Sequence, residues 1–261
     1  MKESSMRPRR ATALAFLTLA ANSGIRTKVC RRVCRRVYAV DLHSHSRFFH
    51  AWRGRATRYD AFGLKLNTLA ARLRGLDALA VTNHDYSYSA ETRFPTIPGI
   101  EVSTSDGHVV VVGANPPDRT EVGELSASET VDLAHDRGCA AILAHPYRNS
   151  NARNSGADFD AVEINGKNPE HIAKTQQLAK QLDLPLVGGS DAHYLVEVGR
   201  AYTKIDADEL TPAAVADAIR DGRVTAVTKF GPFDRLVDRA YTRIHAEKKW
   251  MESDSVEAAE R

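Results

Sequence analysis

Short apolar runs that each stop at a histidine or carboxylate constrain this chain more than any other feature. The first is Val37-Tyr38-Ala39-Val40-Asp41-Leu42-His43-Ser44-His45-Ser46. A short run of β-branched and apolar residues reads as a buried strand. Where it stops, two histidines stand one residue apart, and a strand continuing through them would send both rings to one side. Asn83-His84-Asp85, Ile100-Glu101, Gly107-His108, Ala144-His145-Pro146 and Asp191-Ala192-His193 follow, most of them at or beside the end of an apolar run. One His-x-His is commonplace on a surface. Repeated this often, in a chain with ten histidines, the pattern points to one cluster of imidazoles and carboxylates, and so to metal-dependent hydrolysis.

Strands and helices alternate between these stretches. Tyr59 to Arg74 reads as a helix whose apolar stripe is Phe62, Leu66, Leu69, Ala70 and Leu73, ended by Gly75. Strands follow at residues 76–82, 96–102 and 108–113. The last two flank Thr104-Ser105-Asp106-Gly107, which is hairpin-turn chemistry and makes them antiparallel. Dense valines from 109 to 112 call for burial on both faces. Ser126-x-x-Glu129 is a capping box for a helix ending at Gly138. Strands at 140–144, 159–164, 184–187 and 224–227 and helices at 169–182 and 211–220, the last with Pro212 at its first position, complete the pattern. This is an α/β chain whose largely parallel sheet closes, or nearly closes, into a barrel with functional residues at the strand ends.

A chain of 261 residues suffices for one such barrel with tails. The expected organisation is a basic, disordered arm over residues 1–36, a catalytic domain over 37–230, and a charged, partly helical tail over 231–261. The net charge of +3 hides an asymmetry: residues 1–37 hold ten basic residues against one acidic, leaving 26 against 32 in the remainder. Basicity therefore belongs to the arm, which argues only weakly for nucleic acid as substrate. The arm imitates a signal peptide, but Cys30-Arg31-Arg32-Val33-Cys34-Arg35-Arg36 runs straight into the first strand and spoils that reading. No apolar run approaches the roughly eighteen residues that span a membrane. Three cysteines make no secreted framework; Cys139 reads as a buried thiol, Cys30 and Cys34 receive no role, and cytoplasm is the expected compartment.

His43-x-His45 preceded by Asp41, Asn83-His84-Asp85, Pro98-Gly99-Ile100-Glu101, His108, Ala144-His145-Pro146 and Ser190-Asp191-Ala192-His193 together resemble the signature of the PHP (polymerase and histidinol phosphatase) superfamily. The resemblance spans roughly residues 37–227. It implies a distorted (β/α)7 barrel with two or three divalent metal ions at the C-terminal ends of the strands. Carried over residue by residue, one ion falls to His43, His45, Glu101 and Asp191. A second shares Glu101 and adds His108 and His145, and a third takes His50, His84 and His193. His50 stands where many members have aspartate. One carboxylate can bridge two ions, whereas an imidazole serves one. The mixed nitrogen and oxygen set suits Zn, Mn or Fe. Asp41 is expected to orient a ligating imidazole.

The resemblance implies a phosphoesterase in which a metal-activated water attacks phosphorus. Arg148, three residues past His145, is the candidate for gripping phosphate, with Lys167 behind it. Asp191 or His193 would handle protons, with Asp85 as an alternative donor. Arg47, Arg53, Arg55 and Arg58 either line the entrance or are solvated. His135, His171 and His245 read as surface residues. The expected substrate is a small phosphomonoester or nucleotide. The alternative is a 5′-end exonuclease or nucleotide phosphodiesterase on short oligonucleotides, and a third reading is a non-catalytic, metal-stabilised regulatory domain.

Overall fold

The structure, a computed structural model, describes residues 35–47, 55–148 and 150–231. Within them lie nine strands and four α-helices: β1 (Arg36–Asp41), α1 (Arg58–Leu73), β2 (Ala78–Val81), β3 (Thr96–Ser103), β4 (His108–Val112), α2 (Ala127–Asp136), β5 (Ala140–Leu143), β6 (Ala161–Asn165), α3 (Ile172–Leu182), β7 (Leu186–Gly189), β8 (Ala201–Ala207), α4 (Pro212–Arg220) and β9 (Val224–Thr228). The arm, including Cys30, most of the loop around His50, and the tail from residue 232, lie outside the described residues.

The strands form one sheet in the order β7-β6-β5-β4-β3-β2-β1-β8-β9. Seven of them run one way, while β4 and β8 pair antiparallel to their neighbours. The sheet curls until it nearly closes. Gly188 in β7 donates its N–H to the Thr203 hydroxyl of β8 at 2.8 Å, and that hydroxyl donates to the Gly188 carbonyl at 3.0 Å. One side chain thus stands in for a strand ladder. Only glycine permits it, because a Cβ at 188 would lie 2.5 Å from the Tyr202 carbonyl oxygen.

Two apolar layers line the sheet. Val110, Val112, Val40, Ile97, Ile142 and Ile205 fill one, and Val109, Val111, Ile100, Val102 and Leu143 the other. The valine run of β4 is therefore buried on both faces, as its density requires. Capping works as the residues dictate. Ser126 accepts from the Glu129 N–H and donates its own N–H to the Glu129 carboxylate at 2.8 Å, and Thr211 caps α4 with Pro212 at its first position. Such caps are each worth about 0.5–2 kcal/mol. Cys139 is buried.

Three expectations need correction. β8 was not anticipated, although Ala201-Tyr202-Thr203-Lys204-Ile205-Asp206-Ala207 alternates buried and less buried residues. β1 stops at Asp41, so His43 and His45 lie beyond the ladder rather than in it. The apolar stripe of α1 is also wrong: Phe62, Leu69 and Leu73 are 59%, 54% and 78% exposed. The helix instead buries Gly63, Leu64, Asn67, Ala70 and Ala71. Polar anchors set that rotation. Asn67 donates to the His45 carbonyl at 2.8 Å, and Asp60 accepts from Ser46 and Tyr86 hydroxyls at 2.8 and 2.6 Å.

Candidate metal centre

One rim of the sheet collects the histidines and carboxylates. β1, β2, β5 and β7 end shortly before His43, His84, His145 and Asp191, Glu101 lies within β3, and His108 opens β4. Reversal of β4 accounts for His108: it pairs with Ser103 at the end of β3, which puts a strand's first residue on the rim where its neighbours end. Asp85, His145 and Asp191 take positive φ values of 61°, 26° and 53°, a region that L residues seldom enter. Bonds to neighbouring elements brace them: the Asp85 N–H donates to the Glu101 carbonyl at 2.9 Å, the His145 N–H to the Glu163 carboxylate at 2.9 Å, and the Asp191 N–H to the His43 carbonyl at 2.7 Å.

Glu101 is the centre of the cluster and has no exposure. Its Oε1 lies 2.9 Å from both His108 Nδ1 and His145 Nε2. Its Oε2 lies 3.1 Å from His43 Nε2 and 3.2 Å from His45 Nε2 and His84 Nδ1. Asp191 Oδ1 is 3.2 Å from His45 Nε2 and 3.8 Å from His43 Nε2. The ligand atoms of His43, His45, Glu101 and Asp191 converge within 4.8 Å of one another, as the resemblance implies. Glu101, His108 and His145 also come together, with 3.3 Å between the two ring nitrogens. His84 converges with Glu101 and His108, and separately with His45 and His193. His45 thus stands in a group where His50 was expected, and His50 itself is outside the described residues.

Electrostatics favour a cation here. Burial pushes the Glu101 carboxyl up, but His84, His43 and His108 overcome it and hold it well below the usual range. Burial likewise opposes ionisation of Asp191, and Lys167, Arg148 and His43 reverse that strongly. His84 is pushed well below the ordinary imidazole range by burial, with only partial opposition from Glu101. Burial, then His45 and Lys167, do the same to His193. The rim therefore offers anionic oxygens at Glu101 and Asp191 and neutral rings at His84 and His193. Against burial, Glu163 and Glu101 hold His43, and Glu101 holds His108, above the ordinary imidazole range, positive charge that a bound cation would replace. Glu101 Oε2 is buried and makes no hydrogen bond, an expensive arrangement unless a cation compensates it. The residues present fit divalent metal, and the mixed donors fit Zn, Mn or Fe.

The neighbours of the cluster differ from expectation in three ways. Asp41 does not meet an imidazole: its oxygens accept the backbone N–H groups of His43, Ser190 and Gly199 at 3.3, 2.9 and 2.8 Å. Two residues before the ring, on the same extended segment, its short side chain reaches backbone instead. The carboxylate that meets the ring is Glu163, 2.7 Å from His43 Nδ1, a residue assigned no role from sequence. Asp85 is not a free acid. Ser103 donates to it from both N–H and hydroxyl at 2.7 and 2.8 Å, and Thr120 adds a third donor at 3.3 Å. Arg47 neither lines an entrance nor is solvated; it is buried, pairs with Asp60 at 3.6 Å and covers the Tyr86 ring.

Arg148 does reach the cluster, its Nη1 lying 2.6 Å from Asp191 Oδ2. Lys167 Nζ lies 3.5 Å from the other oxygen of Asp191 and 2.7 Å from His193 Nδ1. His135 pairs with Asp160 at 2.9 Å, away from the rim, and His171 packs against Tyr147.

Comparison with known proteins agrees with this picture. A family model described as PHP-associated matches residues 169–224. Among solved structures, PsfC of Pseudomonas syringae is 19% identical, with a TM-score of 0.62 over 80% of this chain and 98% of that one. A two-domain protein of Bacteroides vulgatus, described as containing a predicted PHP-like metal-dependent phosphoesterase, is 18% identical at TM-score 0.51 over 74% of this chain. The lesion-specific endonuclease Q of Pyrococcus furiosus is 17% identical at TM-score 0.51 over 73%. The chain spans 65% and 58% of the length of those last two. At these identities what is shared is the fold. Among the described residues no helix is long and apolar enough to cross a membrane.

Proposed function

On the footing that the family model and the shared barrel support, membership of the PHP superfamily, we propose that this protein is a metal-dependent phosphoesterase acting on phosphate monoesters of small molecules or nucleotides. The single observation that carries the reading is Glu101, one buried carboxylate within 2.9–3.2 Å of five imidazoles. His43, His45, Glu101 and Asp191 would hold one ion, Glu101, His108 and His145 a second, and His84 with His193 a third. Bound divalent ions acidify water and neutralise charge on a phosphoryl group.

The chain's own side chains supply the rest. Asp191 is flanked by Arg148 and Lys167 and stays anionic, so it holds metal and does not carry protons. With Asp191 holding metal, the Arg148 guanidinium now beside it would be available to two oxygens of a phosphoryl group, for which its fork is shaped. Its side chain is 30% exposed, enough to meet a substrate entering from solvent. His193 is a poor proton carrier because burial and Lys167 disfavour its charged form. Lys167, partly buried with its Nζ 3.5 Å from Asp191 Oδ1 and 2.7 Å from His193 Nδ1, would add a second cationic side chain beside the phosphoryl group.

Turnover of p-nitrophenyl phosphate and bis(p-nitrophenyl) phosphate by zinc- and manganese-loaded protein tests the reading. Metal-dependent hydrolysis with the monoester preferred is expected. Preference for the diester would favour the alternative, a nuclease or nucleotide phosphodiesterase, which the fold likeness to endonuclease Q and the exposed Arg55 and Arg58 keep in view. No metal-dependent turnover of either would leave a metal-stabilised regulatory domain.

A further inference from the structure

Two of the glutamates buried at the rim, Glu101 and Glu163, have surroundings opposite in kind. Glu101 Oε2 receives no hydrogen bond and faces ring nitrogens. Glu163, from β6, has both oxygens engaged by donors. Oε1 lies 2.7 Å from His43 Nδ1, and Oε2 accepts the His145 N–H at 2.9 Å and the Asn165 side-chain N–H at 3.2 Å. Glu163 is 2% exposed, and it is not among the groups whose ligand atoms converge. A carboxylate so occupied has little left to offer a metal ion.

We propose that Glu163 is a positioning residue, holding the ring of His43 and the backbone of His145 so that both present Nε2 to the metal centre. The inference rests on the metal-binding part of the reading above and adds a residue to it. Accepting from Nδ1 makes that nitrogen the protonated one, which leaves the Nε2 lone pair of His43 directed at Glu101, His45 and Asp191. A carboxylate behind a ligating imidazole fixes its tautomer and raises its basicity. The second oxygen reaches the other group of candidate ligands. His145 sits at φ 26°, and its N–H bond to Glu163 helps to keep it in that unfavourable conformation. Its ring Nε2 then lies 2.9 Å from Glu101 Oε1. One side chain thereby sets two ligands that flank Glu101 from opposite oxygens.

The surrounding chain is fitted to this carboxylate. Asn165 also approaches Asp191 Oδ2 at 3.4 Å, so an amide NH2 separates two anions that would otherwise repel. Gly189 packs directly on the pair. A Cβ there would lie 2.5 Å from the His43 Cβ and would overlap Glu163 Oε1. The glycine is required because the carboxylate and the imidazole occupy the space a side chain would take.

Two measurements test the proposal. In zinc-loaded wild-type protein with 15N-labelled histidine, NMR should show the His43 ring protonated at Nδ1 and metal-bound at Nε2; metal on Nδ1 would overturn the proposal. Zinc affinity by chelator competition should fall roughly 10–100-fold in Glu163→Gln, whose NH2 must oppose at least one of the three donors. At saturating zinc the variant should still take up the wild-type number of ions, since no ligand is lost. Unchanged affinity would overturn the proposal, and a lost ion would make Glu163 a ligand and overturn it too. Gly189→Ala keeps the carboxylate but displaces it, and should weaken zinc binding in the same way if Glu163→Gln does not fold. The metal-free melting temperature distinguishes a general packing defect, which would lower it while leaving affinity unchanged. Wild-type protein that bound no zinc would refute the proposed function itself, a result separate from these.

Discussion

Closure of the barrel by one hydroxyl has a measurable consequence. Thr203→Val keeps the shape and removes the group that serves both the Gly188 N–H and its carbonyl, at 2.8 and 3.0 Å. Thr203 has no exposure, so water cannot substitute without rearrangement. Leaving a buried polar group unpaired costs about 1–3 kcal/mol, and two groups are affected. The added methyl returns about 0.8 kcal/mol, for a net loss of about 1–5 kcal/mol. For a domain of this size each kcal/mol is worth about 2–4 °C in Tm, so a fall of about 2–20 °C is expected. Urea unfolding of metal-free protein, followed by circular dichroism, reads the loss directly. A change under about 0.5 kcal/mol, ordinary for a surface site, would refute the closure argument. The effect should reach the metal centre as well, because β7 leads directly into Asp191.

Other expectations follow from the same geometry. Glu101→Gln removes the anion that five rings face and should abolish turnover while lowering metal content, which elemental analysis and kinetics check together. Arg148→Ala should keep the wild-type metal count but slow a dianionic monoester by about 10²–10³, by analogy with loss of one transition-state donor. A monoanionic diester should suffer less, and equal rates for both proteins would strip Arg148 of its role. In metal-free protein, burial pushes the His43 imidazole down but Glu163, Glu101 and Asp191 hold it well above its ordinary 6.5, so the stability it contributes is present below that pH and drains as pH rises through the raised value. Glu101 and Asp191, held below their ordinary values, contribute above them and fail as pH falls. The metal-free Tm should therefore decline on both flanks, and metal should remove the alkaline decline.

The rim was legible because its chemistry is carried by residue type at strand ends, and His43, Glu101, His145 and Asp191 do converge. What resisted reading depended on rotation and distance. Phe62, Leu69 and Leu73 form a regular stripe that nonetheless faces solvent, because Asn67 and Asp60 anchor the opposite side of α1. β8 carries its alternation plainly, but Lys204 and Asp206 on its outer side weaken the apolar signal. Asp41 and Glu163 are both carboxylates near histidines in space. Nothing in their spacing shows that the one nearer in sequence would turn to backbone while the other, 120 residues on, meets the ring.

The central claim is that the rim is a metal centre, and counting its metal tests that claim most directly. Protein expressed with added zinc and manganese, desalted and analysed by elemental mass spectrometry, should carry two to three divalent ions per chain. Anomalous diffraction should then place them against Glu101, with His43, His45 and Asp191 on one side and His108 and His145 on the other. Fewer than one ion per chain under those conditions would contradict the account.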